Sequence, residues 1–261
     1  MNWNKYQKAL EQFSRKTNTQ HHLDAVMQRS EALFQICGPS THNNRAMLKI
    51  GYTLLQSNEM KILAPCCPDY SHHRGMYTFD KLNGGISLLA INQIEFLRAL
   101  VKLGVKVFAK LVYADQEVDD WRMLDKVRTS ESEFMHRINQ SLAATKKLLK
   151  DDGWDVDLMT QLISSFRDKE RELTLMIEAN QSWRHRLQTE TLQRTEMYLR
   201  IQNPLPAADA LKRTIRTAAQ YMVLGNYAKE TGYLISNHTT TNLGWYAETN
   251  AGVLHNPVEI Y

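Results

Sequence analysis

Apolar positions recur at helical spacing through the first part of the chain: Tyr6, Leu10 and Phe13 share one face, and Leu23, Val26, Met27, Leu33 and Phe34 share another, up to a stop at Cys37-Gly-Pro39. A third helix is expected over residues 45–56. The pattern then changes. Met60-Lys-Ile-Leu-Ala64 is a short apolar run followed by Pro65, Pro68 and Gly75, which reads as a buried strand entering a long polar loop. From Ile86 to Leu103 the residues Leu88, Leu89, Ile91, Ile94, Phe96, Leu97, Leu100 and Val101 return to helical spacing, and Gly104 stands where a left-handed C-terminal cap belongs. Val105 to Ala114, rich in β-branched and aromatic residues, predicts a second strand, closed by the acidic run from Asp115 to Asp120. A helix of that length between two apolar strands is the crossover of a parallel sheet.

Downstream, residues 128–150 predict an amphipathic helix ended by Asp151-Asp-Gly153, and Trp154 to Leu162 a short strand. Phe166 to Ile201 is long and heavily charged; its apolar spacing drifts, so two helices are expected. Pro204 and Pro206 interrupt before a further helix from Ala207 to Lys229, and Gly232 to Ser236 and Val253 to Tyr261 are strand-like. The expected fold is therefore α/β: a Rossmann-like parallel sheet flanked by helices, in a single domain over residues 1–261. Residues 1–58 form a helical N-terminal extension, and residues 59–261 the core.

Composition narrows the class rather than the activity. With 43% hydrophobic and 23% charged residues in 261, and only 11 Gly and 6 Pro, the chain is globular. The N-terminal stretch has no continuous apolar run for a signal peptide, and nothing approaches the roughly 18 apolar residues of a membrane span. Cys37, Cys66 and Cys67 make no disulfide framework, so a reducing, cytoplasmic setting without membrane contact is expected. A net charge of +4 admits an anionic partner without demanding one.

In an open parallel sheet, ligands bind beyond the carboxyl ends of the strands. The polar residues follow that rule: Pro65-Cys66-Cys67-Pro68-Asp69-Tyr70-Ser71-His72-His73 ends the first strand, Asp115-Gln116-Glu117 the second, and Ser236-Asn237-His238-Thr239-Thr240-Thr241-Asn242 the late one. A thiol at a strand end near His72 or His73 would have a lowered pKa and act as a nucleophile; equally, the two cysteines are small buried apolar residues. Adjacent cysteines lack the spacing of a zinc site, so no metal is expected. Asp69, Tyr70, His72, Asn237, His238, Thr240 and Asn242 are candidates for substrate contacts. Asp115 and Glu117 are candidates for a base or for binding a substrate ammonium, or are simply solvated in an acidic turn. Gly84-Gly85-Ile86-Ser87 would cradle a phosphate, or serve as an ordinary helix cap; it lacks both the dinucleotide fingerprint and the P-loop lysine. Basic residues between Lys146 and Lys150, Arg167 and Arg171, Arg184 and Arg186, and Lys212 and Arg216 would track a phosphate backbone, yet they alternate with acids as solvated helix faces do.

Three runs together resemble the cyclodipeptide synthases and, more remotely, the class I tyrosyl- and tryptophanyl-tRNA synthetases. Lys61-Ile-Leu-Ala-Pro-Cys-Cys-Pro-Asp-Tyr-Ser71 is similar to the first strand and loop where that family places a nucleophilic serine. Gln220-Tyr-Met-Val-Leu-Gly225 is similar to the helix carrying its tyrosine and glutamate, and the run from Ser236 to Tyr246 to the late strand-loop with its second tyrosine. The resemblance spans residues 60–261. It implies an aminoacyl-group transferase that takes its donor from aminoacyl-tRNA, acts on an amino-acid-like substrate, and needs no cofactor. Cys66 or Cys67 would accept the acyl group, with Tyr221 and Tyr246 as the two tyrosines. Two departures stand out: no serine occupies the nucleophile position, and the residue four after Tyr221 is Gly225, with Glu230 the next glutamate. A nucleotide-dependent ligase or transferase using the Gly84 to Ser87 step is the enzymatic alternative. A non-catalytic scaffold, binding through its helical N-terminus and charged midsection, is the other.

Overall fold

The computed structural model describes residues 2–37, 43–66, 85–119, 124, 129–198, 207–237 and 253–255. The chain opens with α1 (Trp3–Thr17), capped by the Asn2 side chain, which accepts from the Lys5 amide at 3.1 Å, and closed by Asn18 in the left-handed region. Its buried residues Tyr6, Leu10 and Ser14 recur every four positions and face α2 (Leu23–Cys37) and α3 (Asn43–Gln56). The Tyr6 hydroxyl joins the three helices by donating to Ser30 Oγ at 2.7 Å and standing 3.3 Å from the Met47 carbonyl. Gly51 lets α1 and α3 touch: a Cβ there would lie 2.6 Å from Tyr6 Oη and 2.7 Å from Leu10 Cδ2.

After this helical N-terminus come β1 (Glu59–Cys66), the crossover helix α4 (Leu88–Lys102), β2 (Lys106–Tyr113), α5 (Glu131–Leu148) and β3 (Asp155–Leu158). A short α6 (Met159–Leu162) leads to α7 (Phe166–Ala179), α8 (Gln181–Tyr198), α9 (Ala207–Thr231), β4 (Leu234–Asn237) and β5 (Val253–His255). The strands form a five-stranded sheet of order β3-β2-β1-β4-β5, and every pair is parallel. Among the described residues this is the expected α/β architecture, with helices preceding the first strand.

Alternation along the strands assigns the two faces. Ile62, Ala64 and Cys66 of β1 and Val107, Ala109, Leu111 and Tyr113 of β2 join one cluster, which also takes residues of α1–α3, α4 and α5. Leu63, Val112, Ala114 and Ile235 point the other way, onto Phe166 of α7 and Val223, Leu224 and Ala228 of α9. With both faces covered, β1 is apolar from Ile62 to Cys66, as the middle of a central parallel strand must be. A third cluster, Ile177, Leu187, Ile215, Ala218, Ala219 and Met222, ties α7 and α8 to α9.

The drifting charged stretch is indeed two helices, broken at the extended Asn180. The late strand starts two residues later than expected, because Gly232, with φ of 77°, closes α9 first. The acidic run Asp115–Asp119 is a 3-10 turn. Among the described residues no helix is long and apolar enough to cross a membrane.

Candidate functional site

β1, β2 and β4 are neighbours and run the same way, so Cys66, Tyr113 and Asn237 end at one edge of the sheet. The chain steps from β1 to β2 on one side, and β4 is laid down on the other. The gap between β1 and β4 is therefore the topological switch point, where a crevice opens in sheets of this kind. The two strands pair at Ile62 with Leu234 and at Leu63 with Ile235, and pairing stops there. Pro65 has no N–H with which to extend the ladder. Instead Gln93, from α4, donates its Nε2 to the Ser236 carbonyl at 3.1 Å and accepts from Ser236 Oγ at 2.6 Å. Both residues are 0% exposed, so this pair of hydrogen bonds is buried where the β1–β4 pairing ends.

The expected site residues fare differently. Cys66 is 0% exposed and its thiol donates to the Ala64 carbonyl at 3.4 Å. Burial pushes that thiol far up, away from the thiolate a nucleophile needs. Cys66 is thus a core residue, a correction that the alternation of Ile62, Ala64 and Cys66 foreshadows. Below it Tyr113, raised to about 12 chiefly by burial, hydrogen-bonds Ser141 at 2.7 Å and Thr145 at 2.9 Å.

Asp115 is buried, and both oxygens are occupied: Oδ1 accepts from the Thr160 amide at 3.0 Å and Oδ2 from the Thr160 hydroxyl. It clamps the end of β2 to the start of α6, and at 5% exposure it presents little of the carboxylate to a substrate ammonium. Ser87 is likewise an ordinary cap: its Oγ accepts from the Ala90 amide at 3.1 Å, its own amide donates to Ser141 Oγ at 3.0 Å, and it is fully buried. The phosphate cradle expected there loses its hydroxyl.

Tyr221 is half-buried on α9, on the side that carries Leu224 and Ala228 toward the sheet, and touches both clusters on that face. Glu230 lies about two and a half turns further along α9 and projects from its opposite side. It is exposed and lines a cavity of about 180 Å³ between α7 and α9 with Lys169, Glu172 and Tyr227. Tyr221 and Glu230 therefore do not share a site. Glu117 and Asn237 contribute described backbone, in the 3-10 turn and at the end of β4, but their side chains lie outside the described residues. So do Cys67, Asp69, Tyr70, His72, His73, Gly84, His238, Thr240, Asn242 and Tyr246.

One arrangement at this edge escaped sequence reasoning. Glu170 of α7 is 4% exposed and accepts from Arg216 Nε at 2.6 Å, Gln220 Nε2 at 2.8 Å and Arg167 Nη1 at 3.0 Å. Arg167 also donates to the Gln116 carbonyl at 2.9 Å, so a single buried carboxylate ties α7 and α9 to the turn after β2. Its neighbours in sequence, Asp168, Lys169, Arg171 and Glu172, are exposed, and the whole run reads as a solvated face. The only local signal is the spacing of Phe166, Glu170, Leu173 and Ile177, which puts Glu170 on the apolar stripe.

Fold and edge together define an α/β protein with a Rossmann-like parallel sheet whose strand order reverses between β1 and β4. No family model, curated protein or solved structure matches the chain. Among the described residues no group of three His, Cys, Asp or Glu side chains is disposed to hold a metal ion.

Proposed function

We propose that the chain is an aminoacyl-group transferase that draws on aminoacyl-tRNA and forms an amide bond, as the cyclodipeptide synthases it resembles do. One observation carries the proposal: β1, β2 and β4 end at a single edge of the sheet, and the boundary between β1 and β4 is its topological switch point. Two of the three runs behind the resemblance leave from that edge, after Cys66 and after Asn237. The third, around Tyr221, is on the helix that packs over the same two strands.

With the Cys66 thiol sealed, the acyl acceptor in this scheme is Cys67. Its thiol gives up its proton and the sulfur attacks the carbonyl carbon of the aminoacyl ester; the ester bond breaks, and the tRNA 3′ oxygen takes up that proton and leaves as a hydroxyl. The amine of a second substrate then attacks the thioester; the amide forms, and the proton lost by nitrogen returns to sulfur. Tyr221 serves the amino group of the bound acyl residue, and Glu230 takes no part in the step.

The test separates the two cysteines. With mixed aminoacyl-tRNA as substrate, Cys67→Ala abolishes product and also the acid-stable acyl adduct that mass spectrometry locates on the wild-type chain. Cys66→Ala retains turnover. Product formation that survives Cys67→Ala rules out the thioester, and a wild-type chain that turns over no aminoacyl-tRNA rules out the function.

A further inference from the structure

We propose that the cavity between α7 and α9 binds a compact aliphatic zwitterion, a free amino acid the size of valine or leucine, with Lys169 meeting its carboxylate and Glu172 and Glu230 its ammonium. The site uses none of the residues assigned to aminoacyl transfer above and does not depend on that reading.

Helical spacing builds the two walls. On α7, Glu172 and Leu173 stand three and four residues after Lys169; on α9, Tyr227 and Glu230 stand four and seven after Val223. These six residues line the cavity of about 180 Å³. Val223 is buried and Leu173 half-buried, both packed against the cluster that covers this face of the sheet, so the apolar part of the lining is held by the core. Lys169, Glu172 and Glu230 are exposed. Sites for drug-sized ligands run about 300–1,000 Å³, so a cavity this far below the lower figure takes a molecule of few non-hydrogen atoms.

The charges in the lining are not spent on one another. On α7 Arg167 and Glu170 close at 3.0 Å, and Asp168 and Arg171 stand at 3.9 Å, both at a spacing of three residues. Lys169 and Glu172 have the same spacing and form no ion pair. Among the described residues neither of them, nor Glu230, has a side-chain hydrogen bond or ion pair. Lys110 of β2, whose charge reaches Tyr227, is already engaged by Asp157 at 3.2 Å and Asp155 at 3.6 Å. Burial raises the Tyr227 hydroxyl, so it keeps its proton at neutral pH and can donate. One uncommitted cation, two uncommitted carboxylates and an apolar patch therefore share a small cavity. A plain amine would leave Lys169 without a counter-charge, and a plain carboxylate would leave both glutamates so. A zwitterion answers both signs, because its ammonium has three donors to divide between two carboxylates, and its alkyl group covers Leu173 and Val223.

The experiment is calorimetric titration of the full chain with L-leucine and L-valine, and with two leucine analogues: isoamylamine, which lacks the carboxylate, and isocaproate, which lacks the ammonium. At least one of the amino acids is expected to bind at one site per chain, and each analogue about tenfold or more weaker than leucine, the loss of one charge-assisted hydrogen-bonding group. Lys169→Met is expected to weaken leucine about tenfold and leave isoamylamine unchanged; Glu172→Gln with Glu230→Gln weakens leucine and isoamylamine alike and leaves isocaproate unchanged. All three side chains are exposed, so these variants keep the fold, which circular dichroism checks, and the comparison of ligands on the wild-type chain needs no variant. Absence of binding by both amino acids up to about 10 mM overturns the proposal. So does isoamylamine binding as tightly as leucine, which makes this a site for amines, and so does leucine affinity untouched by either variant, which puts the ligand elsewhere. A chain that binds leucine here and transfers no aminoacyl group keeps this site and loses the transfer reading; a transferase that binds no free amino acid does the reverse.

Discussion

Replacing Glu170 by alanine is expected to be among the costliest single changes at the carboxyl edge of the sheet. The carboxylate is buried and accepts from three donors, two of them guanidinium groups on different helices. Without it Arg167 and Arg216 lose the carboxylate they share, and the Gln220 amide loses its acceptor. Breaking a fully buried ion pair by removing one partner costs about 3–5 kcal/mol. Here the arginine side chains keep 34% and 29% of their exposure, so water meets part of the stranded charge. That brings the expectation to about 3 kcal/mol, or a fall of roughly 6–12 °C in Tm for a chain of this size. Thermal and urea melts followed by circular dichroism measure it, with Glu172→Ala on the exposed side of the same helix as a control that shifts by less than about 0.5 kcal/mol. A double-mutant cycle with Arg216→Ala is expected to return a coupling of about 1–3 kcal/mol. A Glu170→Ala loss below about 1 kcal/mol, or additive single and double variants, would refute the reasoning.

Two further expectations concern the buried tyrosines and the α1–α3 contact. Tyr6 and Tyr113 are each pushed up to about 12, chiefly by burial, against an unfolded value of 10.0. Their stabilising share is therefore complete below pH 10 and is lost as pH rises toward 12, because the unfolded chain releases those protons first; the slope is about 1.4 kcal/mol per pH unit for each tyrosine. Urea titrations at pH 9, 10 and 11 follow the loss, and Tyr6→Phe is expected to remove one tyrosine's share of the slope; an unaltered slope contradicts the assignment. At Gly51, alanine brings about 1 kcal/mol of helix propensity but overpacks against Tyr6 and Leu10 at a cost of about 1–3 kcal/mol. A net loss of about 1 kcal/mol in a urea melt is expected, and a stabilised Gly51→Ala variant would show that α1 gives way more easily than its packing implies.

Periodicity made the fold legible because each element buries a stripe or a face. The run from Met60 to Ala64, the crossover helix and the strand before Asp115 are all set by residues that touch the core. The site was less legible, since side-chain hydrogen bonds link residues far apart in sequence. Gln93 sits among eight apolar positions of its helix and looks like an interruption; its partner Ser236 lies 143 residues away. Glu170 looked solvated because Arg216 and Gln220 come from another helix. Asp115 and Cys66 were placed correctly at strand ends, but placement says nothing about direction: one carboxylate turns to Thr160, and one thiol turns inward with Ile62 and Ala64. In each case the residue type was informative about chemistry, and only the neighbouring element decided whether that chemistry is spent.

The sheet order also bears on how the protein is made. β1 sits at the centre of the finished sheet, yet its partner β4 is translated only after every helix from α4 to α9 has left the ribosome. For most of synthesis the strand that will be most sheltered is an open edge, with the backbone groups of Leu63 that face β4 unpaired. A nascent chain in that state is vulnerable to intermolecular strand pairing, and its last folding step is a long-range parallel closure, the slowest kind.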